Sequence, residues 1–176
     1  ASTAGRCLKK SVLELGGSDP FVVLEDADLD KAAEAGAASR LFNTGQACIA
    51  AKRFIVIDSI AQKFEDKLAE RLLARKMGDP MDETVALGAL ARADLRDELH
   101  GQVERSLKEG ARNILGGVVP NEPGAFYPAT ILNGVEKGMP AFDEELFGPV
   151  ASIIRAASED QALKIANDTP YGLGAA

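Results

Sequence analysis

Cysteine is the most nucleophilic side chain available near neutral pH. This chain of 176 residues has two, Cys7 and Cys48. Cys48 stands in NTGQACIA, residues 43–50, between a run that reads as helix and one that reads as strand. A thiolate there could add to a carbonyl carbon. Free cysteine is also among the most buried residue types, so an inert core thiol is the standing alternative. Two glutamates sit in similar Gly-rich settings: Glu14 in LELGGSDP (13–20) and Glu145 in EELFGPV (144–150). A carboxylate can act as a general base on water or accept from hydroxyl groups. Taken singly, each segment also reads more blandly, as a turn, a loop, or a helix end before a Gly-Pro turn. Small residues around Cys48 have a rationale: Gly45 lets the chain turn and a substrate approach the backbone, and Ala47 and Ala50 leave room beside the thiol.

The elements that must hold these segments follow from patterning. FVVLE (21–25), KRFIVID (52–58), ARNILGG (111–117), FYPATILNGV (126–135) and VASIIRAA (150–157) are short β-branched or apolar runs and read as strands. Between the first two lies an Ala-rich helix, opening on acidic residues and ending near Asn43. Ser59 and Gln62 have capping-box spacing ahead of Ile60, Phe64, Leu68 and Leu72, which recur at helical period toward KMGDP. A further helical pattern covers 89–109 and closes at Gly110. Ser158 and Gln161 form a second capping box before ALKIAND. Strands alternating with helices predict an α/β fold, a largely parallel sheet with helices on both faces. VVPNEPGAF (118–126) reads as loop. His100 falls among alternating charges and is expected to be exposed, with no role; RADLRDE (92–98) reads as a solvated helix face.

Composition bounds the rest. With 46% hydrophobic and 27% charged residues this is an ordinary globular chain. A formal net charge of −7 argues against nucleic-acid or anionic-membrane binding, both of which need a positive field. Two cysteines make no disulfide framework and one histidine makes no His-based metal site. A reduced, cytoplasmic setting is the simplest fit. The missing initiator Met and the apolar, Gly-rich ending YGLGAA suggest a piece of a longer chain.

The joint occurrence of the three segments, in this order and at these separations, resembles the aldehyde dehydrogenase family. ELGG is similar to its glutamate motif, GQAC to its cysteine motif and EELFGPV to its cofactor-contacting motif; KMGDP and NDTPYGL are further family-like stretches. LELGGSDPFVVLEDADLD, AAKRFIV and ARADLRDELHGQVE resemble its bacterial succinate-semialdehyde dehydrogenases.

The resemblance implies roles. Cys48 would be the nucleophile that makes a thiohemiacetal with an aldehyde, and Glu14 the base that activates water on the thioester left after hydride transfer. Glu145 and Phe147 would hold the nicotinamide end of NAD or NADP, with Leu15 and Gly16 beside it. The Cys48 backbone amide would be one oxyanion donor. Ala50 occupies the position where some relatives carry a second, redox-sensitive cysteine. The resemblance covers only the catalytic domain, a three-layer α/β/α unit over residues 1–176. A Rossmann cofactor domain, an oligomerisation element and a homo-oligomeric parent would belong to the whole enzyme. This chain alone is then expected to be inactive. A non-catalytic α/β domain that keeps the motifs, and a cofactor-independent esterase, are the competing readings.

Overall fold

The computed structural model describes all 176 residues. Its five strands are β1 (Pro20–Val23), β2 (Arg53–Ile57), β3 (Arg112–Leu115), β4 (Thr130–Asn133) and β5 (Val150–Ala156). They form one sheet in the order β1-β2-β5-β4-β3. The pairs β1–β2, β2–β5 and β4–β5 are parallel, and only β3 runs antiparallel to β4. All five predicted strand runs are present and shorter than predicted, and β1 begins one residue earlier, at Pro20. The helices are α1 (Ser2–Arg6), α2 (Leu29–Leu41), α3 (Asp58–Leu73), α4 (Ala93–Lys108), α5 (Pro140–Asp143) and α6 (Glu159–Asn167). The short α1 and α5 carry too few residues to show a helical period, and the pattern along the chain does not predict them. None of the helices is long and apolar enough to cross a membrane.

The alternation of side chains along a strand explains the three layers. In β2, Phe54 and Val56 face one way, into a core shared with Ala33 and Ala37 of α2 and Phe64, Leu68 and Leu72 of α3. Ile55 and Ile57 face the other, against Leu99 and Val103 of α4, Phe142 of α5 and Ala162 of α6. Neighbouring strands repeat the split, with Ile131 and Ile153 on the first face and Leu132 and Ile154 on the second. Both faces are apolar because both are covered, as a parallel sheet requires. Helix α2 is Ala-rich because it lies close on the sheet: a Cβ on Gly36 would come 2.8 Å from the Phe54 ring.

Caps and ends differ in places from the sequence reading. Asp28 caps α2 by accepting from the Lys31 amide, and Ser158 caps α6 by accepting from Gln161 N. Gln161 Oε1 takes the Ala157 amide in return. Ser59 does not cap α3. That helix begins at Asp58 without a side-chain cap, and the Ser59 hydroxyl donates to Glu25 instead. A carboxylate acceptor on the neighbouring β1–α2 loop outcompetes the local amide. Helix α4 starts at Ala93, later than predicted, because Leu90 is drawn into the core and its amide donates to Ala125 O. His100 is half-buried rather than exposed, with Nδ1 3.1 Å from the Tyr127 hydroxyl.

Candidate active site

Strands β1, β2 and β5 are parallel and adjacent, so the segments leading into them arrive at the same edge of the sheet. Residues 14–19 lead into β1, 48–52 into β2 and 144–149 into β5. The three sequence segments are thereby brought side by side at the N-terminal edge. Ligands in open α/β sheets more often sit at the C-terminal edge. A cleft of about 770 Å³ opens between these segments, and Glu14, Leu15, Gly16, Cys48, Glu145 and Phe147 all line it. The six residues given catalytic or cofactor-holding roles by the resemblance therefore reach one cavity. Cys7 lies exposed beyond the end of α1 and away from the cleft.

The segments interlock through glycines. A Cβ on Gly45 would fall 2.3 Å from the Gly148 carbonyl, and one on Gly17 would fall 2.7 Å from Cys48 O. The sequence reading gave Gly45 the task of letting a substrate near. What approaches it is the Gly148–Pro149 backbone, so its smallness joins the cysteine segment to the Glu145 segment. Ala50 likewise departs from expectation: it is buried and does not line the cleft, so of the two alanines only Ala47 flanks the cavity.

Ahead of Cys48 the chain turns through three successive left-handed residues, Asn43 (φ 50°), Thr44 (φ 58°) and Gly45 (φ 76°). Such a turn persists only if its surroundings hold it. Arg40 Nη2 donates to Gly45 O at 2.7 Å, Asn43 Nδ2 to Gln46 O at 3.0 Å, and Gln46 Nε2 back to Asn43 O at 3.2 Å. Gln46 Oε1 also takes the Ala91 amide at 2.8 Å. Cys48 itself is half-buried, and its amide makes no hydrogen bond within the protein. Glu14 is exposed on an extended segment. Thiol, free amide and carboxylate thus share the cleft.

Glu145 is held firmly. Its Oε1 accepts from Gly17 N at 3.0 Å and lies 3.7 Å from Lys52 Nζ. Its Oε2 faces Gly16, where a Cβ would come within 2.6 Å. Glu144, by contrast, bonds Arg105 and Gln102 at the rim. Lys52 and Arg40 were not singled out from the sequence, and both are fully buried. Burial pushes the Lys52 ammonium down to about 8, with Arg40 adding to the shift; Glu145, Asp19 and Cys48 oppose it. Burial likewise pushes Arg40 down to about 9, against the pull of Glu145. The signals were present. Arg40 follows Ala33 and Ala37 on the buried stripe of α2, and Lys52 directly precedes a wholly buried strand.

The fold, and a cleft that gathers Cys48 with Glu14 and Glu145, point to a class. The Aldehyde dehydrogenase family model matches residues 1–176, and the chain belongs to that family. It is 55% identical over 172 residues to the succinate semialdehyde dehydrogenase [NAD(P)+] Sad of Escherichia coli, covering 98% of this chain and 37% of that protein. It is 48% identical over 176 residues to the NADP(+) succinate-semialdehyde dehydrogenase of Deinococcus radiodurans, covering all of this chain and 37% of that protein. Among solved structures, the succinate-semialdehyde dehydrogenase of Burkholderia pseudomallei superposes with a TM-score of 0.93 at 37% identity, covering 99% of this chain and 36% of that one. The lactaldehyde dehydrogenase of Escherichia coli gives 0.92 at 37% identity, with 99% and 37% coverage. The chain thus spans a little over a third of the length of its relatives.

Proposed function

We propose that this chain supplies the catalytic residues of an NAD(P)-dependent oxidation of an aldehyde to its acid, with succinate semialdehyde as the substrate. The observation that carries the reading is the convergence of Cys48, Glu14 and Glu145 on one cleft. The substrate rests on identity to the two bacterial enzymes named for it. The residues present fit a nicotinamide ribose. The Gly17 amide donates to Glu145 Oε1 and the Lys52 ammonium pairs with that same oxygen by charge, which leaves Oε2 at the cleft as an acceptor for hydroxyls, and Phe147 offers an apolar face beside it.

The Cys48 thiolate adds to the aldehyde carbon, and the unengaged Cys48 amide donates to the oxygen as it gains charge. A nicotinamide held by Glu145 and Phe147 would supply the acceptor for the hydride that leaves the thiohemiacetal carbon. Glu14 takes a proton from water as that water attacks the resulting thioester on Cys48, releasing the acid and the thiol. Residues 1–176 form the catalytic domain of a homo-oligomeric cytoplasmic enzyme whose cofactor domain and oligomerisation element belong to the remainder of a family-length protein.

For the chain by itself we propose no turnover, since it spans 37% of its relatives. The experiment has two arms, each following absorbance at the reduced-nicotinamide band with succinate semialdehyde and either cofactor. The family-length protein should turn over and its Cys48→Ser variant should not; activity surviving in that variant overturns the nucleophile. The 176-residue chain should be silent, and robust turnover by it overturns the second claim. Because thiol and carboxylate line one cleft without any cofactor, slow hydrolysis of a chromogenic ester by the chain, lost in Cys48→Ser, is the second reading.

A further inference from the structure

The turn that carries Cys48 points three backbone carbonyls at one spot. Lys52 Nζ occupies it, donating to Ala47 O at 3.1 Å, Cys48 O at 2.9 Å and Ala50 O at 3.2 Å. An ammonium has three N–H groups, and the turn takes all three. The same nitrogen lies 3.7 Å from Glu145 Oε1, whose other partner is the Gly17 amide. Gly17 in turn packs its Cα against Cys48 O. One side chain, 1% exposed, therefore touches the Cys48 segment and the Glu145 carboxylate at once.

A buried lysine is costly to keep charged. A turn braced only for stability could use an amide or hydroxyl at lower cost. The ionised form makes sense where a carboxylate must be held as well. We propose that Lys52 is a positioning residue of the active site, whose single ammonium sets the Cys48 turn and the Glu145 carboxylate in register with one another. This rests on reading Cys48 as the nucleophile. The charged and titratable groups facing Lys52 are Arg40 from α2, Asp19 from the lead into β1, the Cys48 thiol of its own turn and Glu145 from the lead into β5. With the ammonium pushed down to about 8, the brace loosens within one pH unit or so of neutrality as Lys52 gives up its proton.

The test uses the 176-residue chain, isotopically labelled, in a Cys7→Ser background that leaves one thiol. The carbonyl carbons of Ala47, Cys48 and Ala50 and the amide of Gly17, which reports on Glu145, are followed by NMR across about pH 6.5 to 9.5. All four should follow one titration with a midpoint near 8, absent in Lys52→Met. A Gly17 amide that stays still while the carbonyls move reduces Lys52 to a local brace and overturns the proposal, as does the absence of any shared titration. Iodoacetamide alkylation of Cys48 at pH 7 gives the second readout. Lys52→Met should slow it about tenfold and Lys52→Arg by less than about threefold. Equal rates in wild type and Lys52→Met overturn the proposal. Should Lys52→Met fail to fold, the titration of the unsubstituted lysine decides alone. Neither readout involves aldehyde oxidation, so the failure of one reading is distinguishable from the failure of the other.

Discussion

Gly45 and Gly148 meet backbone to backbone: a Cβ on Gly45 would stand 2.3 Å from the Gly148 carbonyl carbon and 2.7 Å from Pro149 N. The contact joins the segment that carries Cys48 to the one that carries Glu145, and no side chain mediates it.

Gly45→Ala should therefore be among the most damaging single changes at the site. It adds left-handed strain at φ 76° to a clash with rigid backbone. Together these should cost roughly 2–4 kcal/mol. Urea unfolding of the variant, at unchanged slope, reads the loss.

The opposite sign is expected one residue earlier. Thr44 is β-branched and sits at φ 58°. Thr44→Gly relieves about 1–2 kcal/mol of backbone strain and loses about 0.5–1 kcal/mol to chain entropy. The variant should be as stable as the parent or slightly more so in the same urea experiment. A clear loss would mean that the Thr44 side chain itself holds the turn.

Lys52 makes stability depend on pH in a defined direction. Its folded-state value, about 8, lies below the ordinary lysine value of 10.5. Between those limits the unfolded chain binds more protons, so stability rises with pH across that window. Relative to Lys52→Met, the parent should gain roughly 2–3 kcal/mol from pH 8 to 10.5, as read by urea midpoints at fixed ionic strength.

Arg105 and Glu144 pair at 2.9 Å on the rim, and both side chains are close to half exposed. Water and salt screen such a pair, so Arg105→Ala should cost about 0–1 kcal/mol. It serves as the contrast to the buried cations, measured on the same denaturation curves.

The sequence displays most of this fold because the strands are short apolar runs and α3 carries a clean helical period through Phe64, Leu68 and Leu72. The site is legible as three segments, since Cys48, Glu14 and Glu145 are chemically conspicuous. Their assembly follows from a property the chain does not spell out, the adjacency of three parallel strands. The hidden parts are those decided by partners far away in sequence. Ser59 has the spacing of a cap yet donates to Glu25. Gly45 has the freedom of a turn residue but is needed for its lack of volume. Lys52 and Arg40 are charged and so look like surface, although carbonyl oxygens and one carboxylate receive them inside. His100 sits among charges on α4, and Tyr127 on the lead into β4 draws it partly in.

The last residue has a practical consequence. The Ala176 amide donates to Pro20 O at 3.0 Å and its carbonyl accepts from Val22 N at 2.7 Å, the pattern of a parallel neighbour to β1. A purification tag or fluorophore fused directly after Ala176 would thus start from a residue paired to the edge of β1 rather than from a free end. A tag at Ala1, which precedes an exposed helix, avoids that edge. Exposed strand edges recruit other chains. Samples tagged at the C-terminus should then differ from N-terminally tagged ones in their tendency to associate, and labels meant to report on Cys48 belong at the front of the chain.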